Sequence, residues 1–568
     1  MYDLERYLNV RSAYGASFAP DGTLSFMLDA TGTPQVYTVD DPLEWPVQRT
    51  FFEERVTFST WSPERRELAF GMDEGGNERA QLYRLDVEDG AITNLTAHPD
   101  AKHRWGGWSH DGERFAFASN RRDESVFDVY VQGRTETGDD ATLVHEGEGW
   151  LSVGGWSPDD ERLLVSWAHW GFDQDLYVLD VDSGAMRHVT PHEGDVRFTS
   201  AQWSPDGDAL YLTTDYEANT KYLARLDLET LGEDPDETAL ADALDVVADG
   251  GEWNVGGVAL DDETGRLIYS RNVDGYTDLT VGELARPTDI DEFPAPNLPG
   301  NLAGGVAFDD GAERVALSAT GRTENTNVYV VEVATGEYER WTDASTAGIP
   351  RSTFVDADLV RYPTFDDREI PAYFSLPDDW TSDDGGLPVV IDIHGGPESQ
   401  RRPSFGGLTQ YFLSRGYAVF EPQEALLLDG GSRGIVTFRD GVPELVYYTG
   451  TDRGGPTALA DLATPGPYHV ELYRLDPGDL ASIGAHERLA VPPGMPAERL
   501  AGDPALAAST RRGAPGDREL SASDDSDETG ETEPGAVEAF LDDEAKIDAI
   551  KTQAREEAKR RAEEWGFD

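Results

Sequence analysis

The chain has no cysteine in its 568 residues, which excludes disulfides, zinc ribbons, iron–sulfur ligation and thiol nucleophiles together. Lysine is also scarce. Lys102, Lys221, Lys546, Lys551 and Lys559 are the only ones among 46 basic residues, which face 110 acidic residues for a formal net charge of −64. Such a field repels phosphate backbones and anionic lipid surfaces, so neither nucleic acid nor membrane is expected as a partner. There is no run of 18 apolar residues, and Met1 to Gly15 lacks a basic stretch followed by an apolar one. Neither a spanning helix nor a secretory leader is predicted, and the expectation is a soluble, cytoplasmic protein. A hydrophobic content of 38% with 10% aromatic residues is too high for a disordered acidic chain. The balance instead suits a folded protein of a high-salt cytosol, where a Debye length of ~3 Å at molar salt screens self-repulsion.

What the sequence does contain is a repeat. A turn followed by a short alternating strand recurs as Phe18-Ala19-Pro20-Asp21-Gly22, Trp61-Ser62-Pro63-Glu64, Trp108-Ser109-His110-Asp111-Gly112, Trp156-Ser157-Pro158-Asp159 and Trp203-Ser204-Pro205-Asp206-Gly207. Weaker copies start at Ala259 and Ala307, and successive spacings are 43, 47, 48, 47, 56 and 48 residues. Proline presets φ in such a turn and glycine accepts φ > 0. An apolar-aromatic strand ending in Asp or Glu comes next, as in Leu82-Tyr83-Arg84-Leu85-Asp86, Leu176-Tyr177-Val178-Leu179-Asp180 and Val328-Tyr329-Val330-Val331-Glu332. A last strand ends in threonine, at Thr96, Thr190 and Thr342. Four short strands per ~47 residues make a propeller blade of the TolB-like or WD40-like kind, and seven starts predict seven blades over 1–350.

The repeated tryptophans are read as fillers between neighbouring sheets rather than as a ligand platform. His98, His103 and His110, and the pair His188 and His192, show no recurring carboxylate–histidine framework, so no metal or other cofactor is expected.

After the repeats the character of the chain changes. Tyr362 to Pro377 is followed by Leu387-Pro388-Val389-Val390-Ile391-Asp392-Ile393-His394-Gly395-Gly396-Pro397, a helix-length segment through Tyr411, and a buried-strand pattern, Gly416 to Pro422. At these residues the chain resembles the prolyl oligopeptidase (S9) family of serine peptidases, over about residues 5–422. The resemblance implies a propeller gating an α/β-hydrolase domain. It also implies short peptides as substrates and an active-site border formed by His394, Gly395, Gly396 and Pro397 on the oxyanion side, where glycines let backbone approach a developing oxyanion. The family pattern does not make His394 the catalytic base.

The family continues with an Asn-x-Arg-Gly-Ser segment, a Gly-x-Ser-x-Gly nucleophile elbow, an Asp and a His. Here Gln423-Glu424-Ala425-Leu426-Leu427-Leu428-Asp429 stands instead. The one Gly-x-Ser-x-Gly string is Gly430-Gly431-Ser432-Arg433-Gly434. An elbow needs a strand before its serine and a helix after it, whereas Ile435-Val436-Thr437-Phe438 and Leu445-Val446-Tyr447-Tyr448 predict a meander of hairpins. Ser432 is therefore a weak candidate nucleophile, with His469 and His486 as its candidate bases and Asp452 or Asp476 as orienters. No catalytic residue is assigned.

Negative charge thins at the same place: residues 1–423 carry −49, residues 424–512 carry −4 and residues 513–568 carry −11. The later segment resembles, through Pro492 to Pro504 and the Glu424-to-Gly450 meander, an uncharacterised family of small proteins from salt-loving archaea. A fusion within the octapeptide Gly416 to Gln423 would explain the junction. The expected organisation is mainly β: a seven-bladed propeller (1–350), a truncated α/β-hydrolase segment (351–423), a small α+β module (424–512), an acidic linker (513–534) and a C-terminal helix (535–568). That helix either docks on the body or meets a protein partner. Functionally the expectation is an S9-type peptidase impaired in catalysis. The alternative is a non-catalytic propeller that binds peptides or a partner.

Overall fold

The computed structural model describes residues 2–192, 194–232, 234–363, 369–378, 380–381, 386–394, 399–423, 434–439, 442–448, 453–462, 490–499 and 504–513. They form two compact units, one running through Gln423 and the other from Gly434 onward.

The repeated turns have one local geometry. In Trp203-Ser204-Pro205-Asp206-Gly207, Ser204 Oγ donates to Asp206 Oδ1 at 2.5 Å and Gly207 N to Ser204 O at 2.9 Å, with Gly207 at φ 71°. Ser157, Asp159 and Asp160 repeat it, and Asp160 takes the left-handed position at φ 57°. Each turn joins the first two strands of a sheet. Seven four-stranded antiparallel sheets succeed one another over residues 13–48, 56–94, 103–145, 150–188, 198–248, 255–293 and 302–340, and each strand pairs only with its neighbours in sequence. The 56-residue spacing has a cause in the fifth sheet. A helix, Glu237–Asp242, is inserted before the last strand, and the Asp236 side chain caps it by accepting from Ala239 N.

The tryptophans pack backward onto the preceding sheet. Trp61 lies with Ala19, Met27 and Val36, Trp156 with Ala116, Ala118 and Val129, and Trp203 with Leu164, Leu176 and Val178. An arginine of the preceding sheet covers the ring in two cases, Arg114 over Trp156 at 4.9 Å and Arg162 over Trp203 at 5.0 Å. Phe18 occupies the same place in the first sheet and packs with Ala316, Val328, Val330 and Trp341 of the seventh. The series of sheets thereby closes on itself.

Residues 358–422 form a mixed sheet in the order Asp358–Pro363, Glu369–Ser375, Ala418–Pro422, Val389–Ile391. The last two strands are parallel and joined through the helix Gly407–Ser414, as a crossover requires. The amino-terminal helix, Leu4–Leu8, packs here as well. Tyr7 is buried with Ile349, Phe354, Phe405 and Tyr411, its ring 5.8 Å from that of Tyr411. Leu4 and Leu8 of the same helix are exposed, so Tyr7 is its one buried residue.

In the second unit, strands Gly434–Arg439 and Val442–Tyr448 make a hairpin extended by Arg453–Gly454, as the meander predicts, and the helix Gly455–Leu462 comes after it. Val446, Ala458, Leu459 and Val491 form its small core. The acidic linker, the helix expected from 535, and His469, His486, Asp452 and Asp476 lie outside the described residues. Among the described residues no helix is long and apolar enough to cross a membrane.

Candidate functional site

The hydrolase-like segment is held by the central hairpin of the sixth sheet, whose two-residue turn is Asp274-Gly275. Both residues have positive φ, 50° and 82°, the combination that a type I′ turn needs. The turn offers its carbonyls to three side chains. The Tyr373 hydroxyl donates to Asp274 O at 2.7 Å, Gln423 Nε2 to the same oxygen at 3.0 Å, and Arg402 Nε to Gly275 O at 2.8 Å. A Cβ on Gly275 would collide with the Tyr373 hydroxyl. Asn272 extends the network by donating to Gln400 Oε1 at 2.6 Å, and Gln400 Nε2 donates to Gln423 Oε1 at 2.9 Å. From the seventh sheet, Arg322 reaches Glu421 at 2.5 Å, with 2% and 1% of their side chains exposed. Burial pushes the Glu421 carboxyl up, and the charges of Arg322 and Arg401 oppose it.

His394 and Gln423 stand just past the carboxyl ends of the two parallel strands, where open α/β sheets bind ligands. His394 Nε2 lies 2.9 Å from Gln423 O; a carbonyl only accepts, so that nitrogen carries the proton. This bond ties the start of the His-Gly-Gly-Pro loop to the end of the next strand. Gly395, Gly396, Pro397 and Ser432 lie outside the described residues. The strand Gly434–Arg439 begins two residues after Ser432.

The histidines named from sequence separate into individual sites and one cluster. His98 meets Asp139 at 3.0 Å. His103 donates from Nδ1 to Ala80 O at 2.9 Å while Nε2 accepts from Arg121, and burial lowers its pKa to about 3. His110 joins three sheets: its ring contacts Asp160 of the fourth at 2.7 Å and Asp262 of the sixth at 2.9 Å. The Asp262 hydrogen bond, with that of Asp160, outweighs burial and raises it to about 9. His188 and His192 are different. They converge with His169 on Asp175, so the structure assembles the carboxylate–histidine framework that the sequence did not lead us to expect. Burial alone would raise the Asp175 carboxyl, but hydrogen bonds from His188 and His169 hold it well below the usual range. The spacing Asp-x-Tyr, at a position where three other repeats carry an amide, was the available signal.

Residues 42–287 match the prolyl oligopeptidase N-terminal beta-propeller domain, and residues 413–567 match a domain of unknown function, DUF8572. The chain is 25% identical over 377 residues to dipeptidyl aminopeptidase BIII of Pseudoxanthomonas mexicana, covering 63% of this chain and 51% of that protein. It is 30% identical over 201 residues to the uncharacterized peptidase YuxL of Bacillus subtilis (strain 168), covering 34% and 28%. The chain therefore spans about half the length of the first relative and less of the second. Among solved structures, a prolyl endopeptidase from a study of two such enzymes superposes with a TM-score of 0.61 at 16% identity, over 74% of this chain and 62% of that one. Puromycin hydrolase gives 0.60 at 16%, over 74% and 68%. These structures share the fold of the larger unit. The sheets and the segment docked on them thus resemble the prolyl oligopeptidase, S9, family of peptidases, and the matched propeller domain and the named peptidase relatives support that family for this part of the chain.

Proposed function

We propose that this protein is a seven-bladed S9-type propeller with a partial hydrolase segment, derived from a peptidase of short peptides and impaired in peptide hydrolysis. The observation that carries the reading is the β-hairpin beyond Gln423. In place of the Asn-x-Arg-Gly-Ser segment and a strand–elbow–helix unit, the described residues pair Gly434–Arg439 with Val442–Tyr448, within a stretch matching a different domain. The domain boundaries proposed are those expected from sequence. A cytoplasmic, high-salt setting is part of the proposal and rests on the acid excess alone.

Labelling of the full chain with a fluorophosphonate probe tests the reading. The expected result is no covalent adduct and no turnover of short fluorogenic peptides. An adduct on Ser432, lost in Ser432→Ala, would overturn it.

A further inference from the structure

The third strand of five sheets carries one polar residue two positions before a tyrosine: Gln35, Gln81, Asp128, Asp175 and Asn327 precede Tyr37, Tyr83, Tyr130, Tyr177 and Tyr329. In the first, second and seventh sheets this residue is a neutral amide. Its oxygen accepts the backbone N–H seventeen residues on, from Phe52 at 2.9 Å, His98 at 3.0 Å and Ala344 at 2.7 Å. In the third sheet the carboxylate of Asp128 is neutralised by a two-pronged contact from Arg122.

The fourth sheet departs from both patterns. Asp175 is a buried carboxylate, and among the described residues its ion-pair partners are imidazoles alone. His169 Nε2 lies 2.9 Å from Oδ2, and His188 Nε2 and His192 Nδ1 each lie 3.2 Å from Oδ1. The backbone N–H of His192, seventeen residues on, has turned away to Glu237 Oε1 at 2.6 Å. An imidazole replaces the hydrogen bond that the first, second and seventh sheets make. The donor atoms of His169, Asp175 and His192 all fall within 4.8 Å of one another. Metal–ligand bonds of about 2.0–2.2 Å put donors at most about 4.4 Å apart, so the three groups need close by only a few tenths of an ångström, within the reach of side-chain rotation, to share one ion. His169 and His192 are about one-third exposed, which leaves a path from solvent.

We propose that His169 Nε2, the Asp175 carboxylate and His192 Nδ1 bind one divalent transition-metal ion of the zinc class. Two imidazoles and a single carboxylate select Zn²⁺ or Co²⁺ over Mg²⁺ and Ca²⁺, which require oxygen ligands. His188 and Thr190, the latter donating to Asp175 Oδ1 at 3.1 Å, orient the carboxylate.

The probe is Co²⁺, titrated into the full chain in molar NaCl so that binding to the acidic surface is screened. Visible d–d absorption is expected to saturate at about one equivalent per chain, to be displaced by Zn²⁺ and to survive excess Mg²⁺. His169→Ala and His192→Ala should each weaken Co²⁺ binding at least about tenfold, with His169→Gln as a second variant and far-UV circular dichroism confirming the fold of each. His98→Ala, at the equivalent position of the second sheet, should leave binding unchanged. Absence of a saturable band, displacement by Mg²⁺, or a band unaffected by both alanine variants overturns the site.

Discussion

Arg322 and Glu421 face each other with almost no exposure, and Arg322 is the nearer of the two arginines that balance the Glu421 charge. Arg322→Met would leave a buried carboxylate without its main partner and is expected to cost about 3–5 kcal/mol in urea unfolding, while the double variant with Glu421→Leu should recover most of it. His110 makes a second, pH-dependent contribution. Its pKa is raised from 6.5 to about 9 in the folded chain, so the folded state binds the proton more tightly than the unfolded one. That stability is complete below about pH 6.5 and lost as pH rises through about 9. Thermal unfolding monitored from pH 6 to 10 should show this decline in the native chain and a smaller one in His110→Gln. His110 is more than a third exposed, so solvent screening keeps the effect modest.

At the scale of elements, buried tryptophans join neighbouring sheets. Trp156 is buried against the preceding sheet, and its Nε1 donates to Gly107 O at 3.1 Å. Trp156→Ala should cost about 3–5 kcal/mol, whereas replacing Trp45, which is 89% exposed, should change stability little. The Asp274-Gly275 turn is the element that couples sheet six to the hydrolase-like segment. Gly275→Ala meets both a left-handed backbone and the Tyr373 hydroxyl. Hydrogen exchange is expected to rise in strand Glu369–Ser375 with the sheets themselves unaffected; unchanged protection there would remove the turn's positioning role. The turn's anchoring role was invisible from sequence because its partners, Tyr373, Arg402 and Gln423, lie 99 to 149 residues away in the chain.

For the whole molecule, a net charge of −64 predicts a strong salt dependence. Raising KCl from low to molar concentration should raise the melting temperature by screening repulsion; a flat response would contradict the high-salt reading. The junction near residue 423 makes a genetic prediction too. Sequencing the locus should show the second segment in the same frame as the first, and a Gly-x-Ser-x-Gly-Gly elbow in another frame just downstream of codon 423 would indicate a frameshift instead of a fusion.

The repeats were legible because their causes are local. Pro-Asp-Gly turns and alternating strands act within a few residues, and the periodic spacing carries them around the ring. The hairpin after Gly434 was legible for the same reason. A linear reading could not supply which distant residues meet. His169, Asp175 and His192 have no motif spacing, and they converge because strand register sets Trp167 opposite Asp175 and Tyr177 opposite His188. Tyr7 meets Phe405 and Tyr411, hundreds of residues on, only because the fold brings the amino terminus back to them. The sequence by itself determined the mainly β character, the repeated turns and strands, and the break in charge and motif near residue 424, all products of short-range backbone preference and composition. Tertiary structure alone decided the Arg322–Glu421 pair, the Asp274 anchor and the histidine cluster, because burial and long-range register, rather than local preference, bring those groups into contact.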